Sequence, residues 1–166
     1  MIDAPYGDLQ LGQKRASRGR TITESDVVNF CMLTGNWLEL HSNVEFAKNT
    51  LYGERLVQGG LVFVIANALI GFDPELIEAF YGVDNMRFVK PTFINDTIYA
   101  QSEIIALRDK GEQHGVATVL LQATNQRREI ILSCEFSLLV RRDRLAAVPE
   151  PVAYAYSANT KAREAS

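Results

Sequence analysis

The sequence predicts an α+β fold in which a curved antiparallel sheet lies against one strongly apolar helix. Apolar residues recur with a helical period up to about residue 80, and β-type runs follow from residue 83 onwards. Residues 58–72 are apolar nearly all round, which suits a helix buried on most of its sides. Helices followed by a run of strands are typical of the α+β class.

The first helix is predicted over residues 23–34. Thr23 with Asp26 resembles a capping box in which Asp replaces the usual Glu or Gln. Gly35 ends the apolar period, as glycine does at many helix C-termini.

Short helices are expected on both sides of the apolar one. A polar loop at residues 36–41 precedes residues 44–49, a short helix that Ser42 or Asn43 can cap. Residues 74–80 are predicted as a fourth helix because an Asp-Pro pair precedes them and their apolar residues have helical spacing.

Beyond residue 82 the sequence predicts an antiparallel meander, with Pro91 breaking its first strand. The predicted strands are 83–89, 97–107, 115–125 and 129–141, with turns at 94–97, at Gly111 and at 126–128.

Composition divides the chain into three parts. Residues 1–20 have no period and are expected to form an N-terminal arm, with at most one short strand. Residues 21–143 carry the periodic segments and form the predicted domain. Residues 144–166 are rich in Ala without a period, so we expect a loosely attached extension, and removal of 147–166 should leave the fold largely intact.

Overall composition excludes several classes of protein. A chain of 166 residues is long enough for one ordinary domain. Hydrophobic residues make up 47% and charged residues 22%, which excludes wholesale disorder. The net charge of −3 argues against a nucleic-acid partner, because such partners require a large basic surface.

Cysteine content and hydropathy bear on location. Cys31 and Cys134 lie far apart in apolar stretches, which excludes a disulfide scaffold and the usual paired-cysteine zinc site. Residues 61–72 are too short for a bilayer span, which needs roughly 20 residues, and residues 1–20 lack the apolar core of a signal peptide. A reduced, cytoplasmic compartment is therefore expected.

Four segments between residues 19 and 141 carry a resemblance to a known family. They are TITESDVVNFCMLTG at 21–35, NWLELH at 36–41, RLVQGGL at 55–61, and NMRFVKP at 85–91 followed by NDT at 95–97. In this order they resemble the opening helix, the catalytic loop, the start of the central helix and the strand and turn of the MaoC-like enoyl hydratases and dehydratases.

The resemblance implies a hotdog fold, in which a curved antiparallel sheet wraps around a central helix. It implies interconversion of 2-enoyl and 3-hydroxyacyl thioesters linked to coenzyme A or to a carrier protein. It also implies that the reaction uses no metal and no redox cofactor. A homodimer or higher homo-oligomer is expected, with the site between two neighbouring hotdog domains.

Three residues of the second segment are the catalytic candidates. His41 stands where the family has its histidine, and an imidazole can give or take a proton near neutral pH. Asn36 replaces the family's Asp, and an amide can orient a water but cannot deprotonate it. Glu39 could supply the lost carboxylate, although a surface position is the simpler reading. Leu38 and Glu39 also replace an Asn-Pro pair, which changes the loop because Pro would have fixed φ.

The third segment supplies the substrate-binding candidates. Gly59 stands at the start of the central helix, where the resemblance assigns a free N–H to the thioester oxygen. Gln58 replaces the family's His before it, and Gly60 follows it. Close packing of the helix on the sheet would explain either glycine equally well.

The sequence leaves two other functions open. The chain could catalyse a different reaction on the same fold, chiefly as a thioesterase, or it could be a non-catalytic acyl-binding or structural subunit. His41 favours an enzyme, whereas Asn36 and Gln58 favour the subunit. Residues expected outside the site are His114 in an exposed turn, the arginines at 127–128 and 141–142 at solvated strand ends, and Trp37, Phe63 and Phe72 in the core or at a dimer contact.

Overall fold

The sheet is built from six strands in the computed structural model, which describes residues 2–145. They are β1 (Lys14–Ala16), β2 (Arg20–Thr21), β3 (Ile77–Phe88), β4 (Thr97–Lys110), β5 (His114–Thr124) and β6 (Ile130–Arg141). Their order is β1-β4-β5-β6-β3, β2 also pairs with β4, and every pairing is antiparallel. The predicted meander is therefore confirmed for β4, β5 and β6, whereas β3, which contains its predicted first strand, pairs with β6 and not with β4.

The helices precede most of the sheet, as predicted. They are α1 (Glu24–Thr34), α2 (Glu39–Ser42), α3 (Val44–Lys48) and α4 (Gly59–Ile70). Both halves of the capping box are present, because Thr23 Oγ1 accepts the Asp26 N–H and the Asp26 carboxylate accepts the Thr23 N–H. Gly35 ends α1 with φ of 72°, a left-handed conformation that glycine adopts without strain. Asn43 caps α3 by accepting the Phe46 N–H.

Helix α4 lies against β4 and β5 and supplies the centre of the core. Its buried side chains are Leu61, Val62, Ile65, Ala66 and Ile70. One strip of α4, formed by Gly60, Val64 and Ala68, remains exposed. The helix is therefore buried on most sides, as its apolar sequence predicts, but not on all of them.

The predicted helix over residues 74–80 is wrong. The chain makes only a tight turn there, in which the Leu76 N–H donates to the Asp73 carbonyl, and β3 begins at Ile77. Ile77 then lies opposite Val140 and Phe80 opposite Leu138, along the free edge of β6. Helical spacing is a local signal, and pairing with a long neighbouring strand outweighs it here.

The N-terminal residues contribute to the core as well as to the sheet. Ile2, Tyr6 and Leu9 are buried, and the Tyr6 ring fills the space that a side chain at Gly115 would need. Both β1 and β2 pair with β4, so this region has two short strands where at most one was predicted. The boundary of the arm at residue 20 remains a prediction.

The C-terminal extension lies almost wholly outside the described residues. Its first two residues are bound to the turn before β3, because Arg144 forms an ion pair with Asp73 and the Leu145 N–H donates to the Glu75 carbonyl. The expectation that residues 147–166 are dispensable concerns a part of the chain beyond residue 145.

Both cysteines are buried free thiols, and burial raises the pKa of the Cys134 thiol to about 11. Between residues 2 and 145, no helix is long and apolar enough to cross a membrane.

Candidate active site

His41 is half-buried on α2 and has one well-defined partner. Its Nδ1 lies 2.8 Å from the Leu56 carbonyl oxygen. A carbonyl only accepts hydrogen bonds, so Nδ1 must carry the proton in this contact. The lone pair of the neutral ring is therefore on Nε2, which leaves that nitrogen as the atom able to take a proton.

The segment that holds His41 leads directly into α4. The Leu56 N–H donates to the Leu40 carbonyl at 3.1 Å, so residue 56 is bonded to α2 by both of its backbone polar groups. Because α4 begins three residues later, His41 and the N-terminus of α4 belong to one region of the surface. Leu56 could not be identified from the sequence, because a backbone carbonyl leaves no signal in a side-chain pattern.

The N-terminus of α4 presents backbone N–H groups. The first hydrogen bond within the helix runs from the Val62 N–H to the Gln58 carbonyl, so the amides of Gly59, Gly60 and Leu61 precede it. Such amides and the helix dipole favour an oxygen that gains negative charge.

Packing explains why position 59 is glycine. A Cβ there would lie 2.7 to 2.8 Å from carbons of the Phe88 ring, closer than real contacts allow. At Gly60 the nearest atom, in the Phe30 ring, would be 3.1 Å away. Both glycines therefore pack against aromatic rings. This packing explains why position 59 has no side chain, and it is independent of the backbone N–H of Gly59.

Gln58 is enclosed, with 1% of its surface exposed. Its Nε2 donates to Cys31 Sγ at 2.9 Å, and its buried Oε1 has no hydrogen-bond partner within residues 2–145. The side chain thus joins α4 to α1.

Asn36 and Glu39 are exposed around His41. The Asn36 N–H donates to Thr34 Oγ1 at 3.3 Å, and Glu39 Oε1 accepts from Asn43 Nδ2 at 3.1 Å. Glu39 and His41 are two positions apart on α2, a spacing that directs side chains to different faces of a helix. His41 therefore bonds to the segment that precedes α4, whereas the Glu39 carboxylate bonds to the cap of α3.

Large apolar side chains are exposed along the stretch of chain that contains His41. Those exposed between residues 32 and 52 are Met32, Leu33, Trp37, Leu38, Val44, Phe46, Leu51 and Tyr52. An exposed apolar surface of this kind is typical of a region that a ligand or another protein covers.

A groove of about 480 Å³ runs between α1 and α4. Phe30, Leu33, Leu61, Val64 and Leu69 are among its lining residues. Sequence analysis did not predict the groove, because it depends on how two helices cross. Phe63 and Phe72, expected in the core or at a dimer contact, are partly buried against the core, whereas Trp37 is about half exposed.

The second histidine is not part of this region. His114 begins β5, is half-buried, and has Nε2 3.7 Å from a Glu78 carboxylate oxygen. The expectation of an exposed turn is wrong, because the strand starts one residue before Gly115 and pairs His114 with Arg141.

Of the arginines named from the sequence, residues 127 and 128 lie in the β5–β6 loop and residues 141 and 142 at the end of β6, and three of them form ion pairs. Arg127 contacts Asp96 and Glu129, Arg141 contacts Glu78, and Arg142 contacts Asp109.

No group of three or more His, Cys, Asp or Glu side chains that could hold a metal ion occurs within residues 2–145.

Comparison with known proteins bears on fold and family. Protein MaoC of Klebsiella aerogenes is 33% identical over 94 residues, which cover 56% of this chain and 28% of that protein. The chain therefore spans under a third of the length of this curated relative. An (R)-specific enoyl-CoA hydratase of Rhodospirillum rubrum is 29% identical over 102 residues, covering 61% of this chain and 70% of the hydratase.

Solved structures share the fold over most of the chain. A monoamine oxidase regulatory protein from Archaeoglobus is 37% identical with a TM-score of 0.80, covering 86% of this chain and 99% of that one. A conserved Mycobacterium tuberculosis protein with a double hotdog fold is 20% identical with a TM-score of 0.76, covering 98% of this chain and 53% of that one. These likenesses confirm the predicted hotdog fold.

The family assignment rests on the same residues that carry the candidate site. The MaoC like domain matches residues 8–126, which include α1, the His41 loop, α4 and the strand and turn before β4. This match extends over more than half of the chain, and the chain belongs to the MaoC-like dehydratase family.

Proposed function

We propose that the chain is a hydratase or dehydratase that interconverts 2-enoyl and 3-hydroxyacyl thioesters. The observation that carries the proposal is the hydrogen bond from His41 Nδ1 to the carbonyl of Leu56, three residues before α4, which leaves the lone pair of Nε2 free. Family relatives support the substrate class. Among them are (R)-specific enoyl-CoA hydratases and a tomato 3-hydroxyacyl-[acyl-carrier-protein] dehydratase.

The proposed hydration uses His41 as both base and acid. Nε2 accepts a proton from water while the water oxygen bonds to C3 of the enoyl group. Electrons of the double bond move to the thioester oxygen, which gains negative charge and accepts a hydrogen bond from the Gly59 N–H. The imidazolium then returns a proton to C2, so that water has been added overall and His41 is neutral again. Dehydration is the reverse sequence.

Asn36 has the part of a positioning group in this proposal. Its amide can hold a water or the product hydroxyl but cannot accept the proton. Glu39 is the weaker candidate for a base, because its carboxylate bonds to Asn43 and leaves α2 on a different face from His41. In this proposal Gln58 holds α4 in position through its hydrogen bond to Cys31 and does not bind the thioester. Gly60 allows α4 to pack beside the Phe30 ring.

Crotonyl-CoA hydration by the purified chain tests the proposal. His41→Ala should lower kcat by about 10²-fold or more, the usual scale for loss of a general acid–base. His114→Gln is the matched control, because it changes the other histidine at a distance from α4, and its rate should be that of wild type. Equal rates for wild type and His41→Ala would overturn the assignment.

A second candidate is a non-catalytic acyl-binding subunit that pairs with an active hotdog protein. The replacement of the family's Asp by exposed Asn36 favours it. It predicts no turnover by wild type on enoyl-CoA or enoyl-carrier-protein substrates, together with recovery of a hotdog partner in a pull-down. A thioesterase would instead release free coenzyme A from saturated acyl-CoA, which a thiol reagent detects.

We further propose that two copies of the chain associate. Strand β3 is an edge strand with Phe80, Tyr81 and Phe88 exposed, and edge strands readily pair with another chain. The Gly60, Val64 and Ala68 strip leaves the most apolar helix open on one side. The Mycobacterium protein supports this proposal, because this chain matches about half of its double hotdog fold.

A further inference from the structure

Asp96 is an ionisable residue with 3% of its surface exposed, which requires strong compensation. Oδ2 accepts the Phe93 N–H at 2.9 Å. Oδ1 accepts from Gln126 Nε2 at 2.6 Å and from Arg127 Nη1 at 3.1 Å. The carboxylate thus binds the turn before β4 on one side and the β5–β6 hairpin on the other.

The turn closed by Asp96 is bonded to the segment before α4. The Asp96 N–H donates back to the Phe93 carbonyl at 3.1 Å, which fixes residues 93–96 as a tight turn. Phe93 forms an antiparallel bridge with Leu56, and the Val57 N–H donates to the Thr92 carbonyl at 2.8 Å. Residues 56 and 57 therefore take their position from residues 92 and 93.

Leu56 is also the residue that orients His41. Its carbonyl accepts the Nδ1 proton, while its N–H binds the Leu40 carbonyl. The Asp96 carboxylate is thus connected to the His41 ring by three hydrogen bonds joined through neighbouring peptide units. Asp96 binds the Phe93 N–H, the adjacent Thr92 carbonyl binds the Val57 N–H, and the adjacent Leu56 carbonyl binds His41. The Asp96 side chain lies at the buried end of this path.

We propose that Asp96 is a positioning residue that fixes the orientation and tautomer of His41 through the 93–96 turn and Leu56. Asp96 contacts no reacting atom. The kinetic consequence rests on the proposed hydratase function, whereas the effect on the His41 tautomer does not. Asp96→Asn should weaken the turn, because one amide oxygen cannot replace both carboxylate oxygens and the amide N–H₂ opposes the donors of Gln126 and Arg127.

NMR of the imidazole nitrogens in the full chain tests the structural half. In wild type the neutral His41 ring should carry its proton on Nδ1, and in Asp96→Asn a fraction should move to the Nε2–H form. The chain has two histidines, so His114→Gln identifies the His41 signals. Glu129→Gln is the matched control, because Glu129 contacts Arg127 without a bond to Phe93, and it should leave the tautomer unchanged.

Kinetics test the functional half. Asp96→Asn should lower kcat for enoyl-CoA hydration by about tenfold or more with a smaller change in KM, because a misplaced acid–base group slows the chemical step. Arg127→Gln removes one partner of Asp96 from a half-exposed position, so it should lower kcat in the same way but by less. This variant replaces Asp96→Asn in the test if Asp96→Asn does not fold.

The two proposals fail in different ways. Unchanged His41 nitrogen signals in folded Asp96→Asn, or in Arg127→Gln where only that variant folds, would overturn the positioning role. A wild-type chain without hydratase activity but with a tautomer shift in the same variant would overturn the proposed function and leave the positioning role supported.

Discussion

At the scale of single residues, one contact decides which nitrogen of His41 can act. The Leu56 carbonyl holds the Nδ1 proton, so Nε2 has the free lone pair. A histidine turned the other way would offer an N–H donor to the substrate instead of a base. The histidine could be identified from the sequence, but its orientation could not, because the hydrogen-bond partner of Nδ1 is a backbone atom fifteen positions away.

Asn36→Asp tests the largest departure from the family pattern. The change restores the carboxylate at that position and should hold or raise the rate of crotonyl-CoA hydration. Charge repulsion from Glu39 is limited, because both positions are exposed and solvent screens the two carboxylates. Glu39→Gln is the control and should leave the rate unchanged. A large loss there would move the base to Glu39, and a fall in kcat for a well-folded Asn36→Asp would contradict the expectation that a carboxylate at this position sustains hydration.

Gly115→Ala tests the contact between the N-terminal residues and the sheet. The new Cβ would lie 2.2 Å from the ring of buried Tyr6, so one of the two must move. Overpacking of this kind typically lowers the free energy of unfolding by about 1–3 kcal/mol. Urea denaturation measures it, with Gly7→Ala as the control because no atom lies within 4 Å of that added carbon. Adding Tyr6→Leu to Gly115→Ala should recover part of the lost stability. Equal stability of Gly115→Ala and wild type would contradict the packing of the Tyr6 ring on Gly115.

At the scale of elements, the β5–β6 hairpin is stabilised by a cluster of charges around Glu129. Its carboxylate accepts from Asn125 and Arg127 and forms an ion pair with Lys90 beyond the end of β3. These contacts join the hairpin to the chain that follows β3. The neighbouring Asp96 uses the same arginine, so the hairpin also reaches the turn beside the candidate site.

Acid titration should report this cluster. Hydrogen bonds from Asn125, Lys90 and Arg127 lower the pKa of Glu129 to about 2, from an ordinary value of 4.5. A lowered carboxyl pKa adds stability that is fully present above pH 4.5 and is lost as the pH falls towards 2. The stability difference between wild type and Glu129→Gln should therefore shrink over this window, as measured by urea denaturation at a series of pH values. A difference that does not vary with pH would contradict the assignment.

At the scale of the whole molecule, the proposed dimer explains two open surfaces together. These are the α4 strip and the β3 edge of the sheet, whose opposite edge is formed by the short strands β1 and β2. In water, exposed apolar side chains and unpaired strand edges favour association.

Val64→Lys tests the dimer. The side chain is 50% exposed on the α4 strip, so a charge there leaves the isolated fold intact but opposes burial against a second copy. Light scattering at micromolar concentration should show a dimer or larger assembly for wild type and a monomer for the variant. Leu11→Lys changes an exposed apolar side chain elsewhere and should leave the assembly unchanged. A wild-type monomer would overturn the proposal.

The sequence by itself determined the class of fold, the family and the order of most elements. Capping boxes, glycine stops and alternating β runs are local signals, and α1, α4, β5 and β6 lie within a residue or two of the predicted bounds. The four family segments identified His41 and the start of α4, because they are recognised by their order along the chain alone. Recognising such segments requires no knowledge of distant contacts.

Tertiary structure decided the rest. Residues 77–80 form a strand because they pair with the edge of β6, and Tyr6 enters the core because β5 has a glycine where the Tyr6 ring lies. The link from Asp96 to His41 passes through backbone groups of residues 56, 57, 92 and 93. Backbone atoms are the same in every residue, so only the folded arrangement, in which distant segments pair, reveals which of them orient the site.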